Sequence, residues 1–255
     1  IDKREEVFKK ALSLCREATE KYWEIPEESS LELDWTREVT TPWHTFYGNG
    51  QSVIQINPLY MGYIGSMIDV ACHEGFPGHH IQLGIKEKAA IERSINYPER
   101  QIVLLRSPLS ALLEGAADFA VELAFPPNER LAVEKEILFP LAGLDPAGAE
   151  KYLRIHRLVR ELAPATIPTL QAFADEELPR IAASVRLENE FLVTSPMALL
   201  DHVGTFSANS VGYTLAYQQI KKYVAANSSS KPDEWAVLKN IISNADTIWR
   251  EVFEF

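Results

Sequence analysis

Three of the chain's six histidines fall within eight residues, in the run His73-Glu74-Gly75-Phe76-Pro77-Gly78-His79-His80. Clustered imidazoles beside a carboxylate are a donor set that metal ions collect, and a buried His–Glu pair is costly without such a partner. The familiar zinc-hydrolase motif sets two histidines at i and i+4 on one helical face, with the intervening Glu as general base. Here position i+4 is Pro77, so the spacing fails as written. Pro77 breaks a helix and Gly78 tolerates unusual backbone angles; a bulge of two residues there would carry His79 into the missing position. His80 is the rival, since i+7 returns to the same face. Two turns of rise, roughly 10 Å, are too much for both imidazoles to share one ion. His73 and His79 are therefore expected as ligands and Glu74 as the base, with His80 as an alternative ligand or an orienting neighbour. The bland alternative is a polar helix end that binds no metal.

A catalytic zinc takes three protein ligands and keeps one position open for water. The segment Leu112-Leu113-Glu114-Gly115-Ala116-Ala117-Asp118-Phe119-Ala120 supplies an unusual pair. Glu114 and Asp118 are i, i+4, stacked on a face otherwise made of Leu, Ala and Phe, where two carboxylates alone would repel. Zinc bound by Glu114, with Asp118 holding the far nitrogen of a ligating histidine, would supply the missing positive charge. Gly115 and the two alanines would let this helix approach the His-bearing one. The alternative is a solvated acid pair, or one bridged to Arg106 or Lys88.

These segments resemble a bacterial family catalogued as domain of unknown function 885, whose members carry H-E-x-x-P-G-H-H-x-Q and then E-G-W-A-x-Y. Here the first reads His73 to Gln82 and the second Glu114 to Phe119, with Ala116 in place of Trp and Phe119 in place of Tyr. A weaker match to P-G-Q-A-x-A-Y covers residues 211–217, where Val211 and Tyr213 replace Pro and Gln. The family is similar to the gluzincin metallopeptidases, in which two His and a downstream Glu bind zinc and the E-x-x-x-D aspartate supports them. The resemblance implies a zinc metallopeptidase acting on a peptide or small amide, with one zinc ion held by His73, His79 and Glu114. It also implies an oxyanion donor at Tyr217, with Tyr213 and His202 as weaker candidates. His80 and Gln82 are expected to line the cleft or orient ligands, and strand Ser52–Ile56 to hold a peptide by strand addition. His44 and His156 look ordinary. The competing readings are a zinc hydrolase of non-peptide amides or esters, and a metal-free binding protein with a decayed site.

The elements that must position these residues are mostly helical. An amphipathic helix is expected over residues 2–24, then a half-buried strand through Leu31, Leu33 and Trp35. Residues 43–47 and 52–56 flank Gly48-Asn49-Gly50-Gln51, a hairpin signal with Asn-Gly at its centre. Helices follow near 60–76, 79–95, 98–124, 128–140, 146–163, 165–183, 205–226 and 232–252, punctuated by prolines. The expected fold is a single mainly α, multi-helix, zincin-like domain over residues 1–255, with a small N-terminal hairpin or sheet.

Composition restricts the class of function. With 36 acidic against 25 basic residues the net charge is −11, and no basic stripe stands out, which argues against nucleic acid. No window supplies the roughly 20 apolar residues of a membrane span. Cys15 and Cys72 are too few and too far apart for a disulfide framework or a thiolate zinc site, and Cys72, beside His73, is expected buried and inert rather than a ligand or nucleophile, which allows a reducing compartment. The start, Ile1-Asp2-Lys3-Arg4-Glu5, has no signal core and reads as the middle of a longer chain. The chain is thus expected in the cytoplasm by default, or exported if a leading part is missing; no motif speaks to oligomeric state.

Overall fold

Val7, Phe8, Ala11, Leu14, Cys15 and Ala18 recur at helical spacing, and the helix they form, α1 (Lys3–Glu20), buries all of them against the main core. The structure is a computed structural model and describes residues 3–39, 41–59, 63–93, 103–105, 107–206 and 212–253. The fold is mainly α with a small three-stranded sheet near its start. No helix among the described residues is long and apolar enough to cross a membrane.

Strand β1 (Ser30–Trp35) is followed by the hairpin β2 (Trp43–Gly48) and β3 (Gln51–Ile56). The hairpin closes through Gly48 opposite Gln51, and both loop residues have positive φ, 51° at Asn49 and 68° at Gly50. That is the two-residue turn whose twist matches its strands, and Asn-Gly adopts it at least cost. The strand order is β1-β3-β2, with β1 parallel to β3. The central strand is therefore β3, paired on both sides; the expected peptide docking on Ser52–Ile56 is corrected, because that strand has no free edge. Ser52, Ile54 and Ile56 point into the protein and are buried.

Helix α2 (Ile64–Val70) runs into a π turn, Ala71–Gly75, and α3 (His79–Glu92) begins after three intervening residues. Ser107 caps α4 (Pro108–Ala124) by accepting the Ser110 backbone N–H, so this helix starts later than its periodicity suggested. The expected helix over 128–140 is α5 (Pro127–Val133), a π turn at Glu134–Leu138 and α6 (Phe139–Ala142). After a 3-10 turn capped by Asp145 comes α7 (Ala149–Leu162). The 165–183 expectation divides into α8 (Ile167–Ala174) and the start of α9 (Arg180–Phe191), and α10 (Pro196–Phe206) was not expected as a helix. A third π turn, Gly212–Ala216, leads into α11 (Tyr217–Asn227). The last expected helix is two, α12 (Lys231–Ser243) and α13 (Ala245–Phe253), parted at Asn244. The expected starts of the 60–76 and 98–124 helices, and Arg106 and Val211, lie outside the described residues.

One core joins α1, the sheet, α2 to α6 and α11 to α13. A second, small core of Ala183, Leu187 and Leu200, with Leu170, Phe173 and Phe191 around it, holds α8 to α10 together. The cysteines are not free: Cys15 on α1 and Cys72 in the first π turn form a disulfide, with Cα atoms 5.3 Å apart. The expectation of inert thiols is corrected, since the fold brings together two positions 57 residues apart.

Candidate metal centre

The break that interrupts the histidine motif is built from the first π turn and the Pro-Gly pair. Gly75 is followed by extended Phe76 and a cis Phe76–Pro77 bond, and the Gly78 N–H returns to donate to the Cys72 carbonyl at 2.9 Å. The chain passes so close to itself that a Cβ on Gly78 would lie 1.8 Å from the His73 carbonyl oxygen. Only glycine fits there. The path starts α3 at His79 and brings its ring within 4.7 Å of the His73 ring, edge to face.

Helix α4 presents Glu114 and Asp118 to these imidazoles. Its Gly115 packs against the backbone at Ala216 and Tyr217, not against the His-bearing segment, and Gly212 sits over the Glu114 Cβ. A Cβ on either glycine would approach its neighbour to 2.6 Å, so the two interlock α4 with the third π turn. Glu114 Oε2 lies 3.3 Å from His73 Nε2 and 3.3 Å from His79 Nε2, while His73 Nδ1 lies 3.0 Å from Asp118 Oδ1. The Glu114 and Asp118 side chains are 12% and 17% exposed, which rules out the solvated pair. Lys88 instead faces Glu92.

Burial disfavours the His73 imidazolium, but Asp118 and Glu114 outweigh it and raise its pKa well above the ordinary value. Burial alone would raise Glu114; His79 and His73 instead hold it well below the carboxylate range. At Glu74 burial wins over both histidines, so that carboxyl is raised. The donor atoms of His73, His79 and Glu114 all lie within 4.8 Å of one another. Ligands at about 2.0–2.1 Å around a tetrahedral ion are spaced by about 3.3 Å, so two imidazoles and a carboxylate arranged this way fit a small divalent cation. Asp118 on the far nitrogen of His73 is the partner such a ligand ordinarily has.

No family model, curated protein or solved structure matches this chain.

His80, the rival ligand, is 1% exposed and turned away: its Nε2 lies 2.7 Å from Ser29 Oγ and its Nδ1 2.8 Å from Ser52 Oγ. It clamps α3 to the sheet, and burial, aided by Arg16, lowers its pKa to about 4. Gln82 is fully buried and does not line the cleft, contrary to expectation. Tyr217 lines the cleft, but its hydroxyl donates to Glu122 and neighbours Lys221. Tyr213 is the tyrosine at the centre. Its ring stacks on His73 at 5.7 Å and its hydroxyl hydrogen-bonds Glu114; burial, and then the Glu114 carboxylate, raise its pKa.

Two further imidazoles flank the cluster. His202, on α10, lies 5.9 Å from Tyr213 ring to ring; His44, on β2, lies 6.0 Å from His79. Each keeps a buried Nε2 with no hydrogen-bond partner. Burial lowers the pKa of both, to about 2 at His44, where His79 adds to the effect. His44, expected to be ordinary, instead faces His79, and an isolated histidine in a strand gives no local signal of what it will face. His156 pairs with Asp69 at 3.1 Å. A cleft of about 1490 Å³ opens beside the centre, lined by Asp118, Arg160 and Tyr213 and by Leu170, Phe191 and His202 of α8 to α10.

Proposed function

We propose that the chain is a zinc-dependent hydrolase that cleaves peptide bonds. The observation that carries this reading is the convergence of His73, His79 and Glu114 donor atoms beside Glu74. These three residues would hold the ion, which when bound polarises a carbonyl and acidifies water. Glu74 is the general base: it takes a proton from water as the water oxygen adds to the carbonyl carbon, and returns it to the nitrogen as the C–N bond breaks. A carboxyl raised by burial suits both steps, since its affinity for the proton lies nearer neutrality. Tyr213 donates its hydroxyl to the oxyanion, and His202 offers a second donor from the cleft wall.

Three features favour a peptide over a small amide or ester. The cleft volume of about 1490 Å³ exceeds the ~300–1,000 Å³ of ordinary small-molecule pockets. Strand β2, which carries His44, is an edge strand paired on one side only among the described residues, and could take an extended chain as a further strand. The resemblance of the two motifs to domain of unknown function 885 and the gluzincins points the same way. The Cys15–Cys72 disulfide favours an oxidising compartment.

Metal analysis of protein purified without chelator tests the centre, with bound zinc expected and none, even after zinc titration, overturning it. A peptide-library digest then compares the loaded wild type with Glu74→Gln. The variant should keep its zinc and lose about 10²–10⁴-fold in rate. Undiminished cleavage would remove Glu74 from its role. Hydrolysis of esters but no peptide would assign the site to the non-peptide alternative.

A further inference from the structure

Behind the metal centre lies a chain of charges that the chemistry above does not use. Asp69, on α2, faces Arg130 Nη1 at 2.5 Å, His156 Nε2 at 3.1 Å and Arg160 Nη1 at 3.6 Å. Arg160, on α7, reaches in the other direction with Nη2 to Asp118 Oδ2 at 3.7 Å, and its guanidinium lies over the Tyr217 ring at 5.7 Å. The two oxygens of Asp118 are thus divided: Oδ1 meets His73 Nδ1 and Oδ2 meets Arg160. Without that cation, Asp118 stands one turn from the Glu114 carboxylate and borders an open cleft, so repulsion and hydration would both draw it off the histidine.

We propose that Arg160 is a positioning residue for the ligand His73, acting through Asp118. Arg160 is held at both ends, by Asp69 and by the tyrosine ring, and its planar fork fixes the direction from which Asp118 is approached. Asp118 then keeps its other oxygen on Nδ1, which fixes the tautomer with Nδ1–H and leaves Nε2 free as the donor. Part of what determines metal affinity is therefore supplied from α7, outside the histidine motif and outside the helix that carries Glu114.

The inference rests on the metal reading, and zinc affinity measured by competition with a chromophoric chelator separates the two. Wild type that takes up no zinc overturns both. Given a wild type that binds, Arg160→Met should weaken zinc at least about tenfold, the loss typical of an outer partner. Arg160→Lys should fall between the two, and the downfield proton signal of His73 Nδ1–H in the zinc-loaded protein should weaken in the same order. His156→Gln loosens the same charge cluster without touching Asp118 and should leave zinc affinity unchanged. Arg160 variants that bind zinc as tightly as wild type overturn the proposal, as does an equal loss in His156→Gln, which would mean general loosening. If Arg160→Met fails to fold, Arg160→Lys carries the test alone, with undiminished affinity as the overturning result.

Discussion

Tyr213 and Tyr217 are one helical turn apart and carry the same hydroxyl, yet only Tyr213 bonds to Glu114; Tyr217 is committed to Glu122. Tyr213→Phe is accordingly expected to lower kcat by about 10²-fold with KM little changed, the size of losing one oxyanion donor. Tyr217→Phe should stay within a few-fold of wild type, and steady-state kinetics on one peptide substrate with both variants will show whether the order is reversed. At this scale the sequence is informative about which side chains gather and poor at which way they turn. His73, Glu74, Glu114 and Asp118 declare themselves by type and spacing. Choosing His79 over His80 needs the path through Pro77-Gly78, and Arg160 gives no sign at all, because nothing near it in the chain marks it as the neighbour of Asp118.

At the scale of elements, the Gly78 crossing decides whether His79 reaches the centre. Gly78→Ala places a methyl 1.8 Å from a backbone oxygen and should abolish zinc binding and lower the melting temperature by several degrees. Gly84→Ala, in open space on α3, should instead stabilise by up to about 1 kcal/mol through helix propensity. Thermal melts of the two side by side distinguish a specific crossing from a general intolerance of substitution.

The clamp between α3 and the sheet makes a second prediction. His80 has a folded-state pKa of about 4 against an unfolded value of 6.5, so folding favours its neutral form. Its contribution is intact above pH 6.5 and is lost as pH falls toward 4, by a total of about 3 kcal/mol. Urea denaturation of the metal-free protein should show this fall, and His80→Gln should start less stable at pH 8 but lose less across the window; parallel curves would refute it. The hairpin was legible because Asn49-Gly50 carries its turn in two residues. The parallel pairing of β1 with β3 was not, since it depends on where α1 delivers the chain. The π turns also escaped detection, because the hydrophobic pattern of a helix hardly changes when one hydrogen bond spans an extra residue.

For the whole molecule, the Cys15–Cys72 bond closes a loop over 57 positions that contains the entire sheet. The chain-entropy model puts such a closure at about 4 kcal/mol. Cys15→Ser/Cys72→Ser should lose stability of that order in urea, and reductant should destabilise wild type while leaving the double variant unaffected. A thiol titration that finds two free cysteines in the native protein would refute the pairing. Sequence could not reveal it: two cysteines this far apart announce nothing until α1 and the first π turn are packed together.

The existence of two cores has a further consequence. Every ligand of the centre, and Asp118 and Tyr213 with them, sits on segments packed into the larger core. Leu170, Phe191 and His202 of the cleft wall are carried by α8 to α10, which have their own small core. A substitution that loosens those three helices would alter the cleft wall and the reach of His202, while the distances among His73, His79 and Glu114 stay as the larger core sets them. The cleft wall and the His73–His79–Glu114 cluster therefore depend on different parts of the fold, and substitutions in α8 to α10 are expected to reshape the first without disturbing the second.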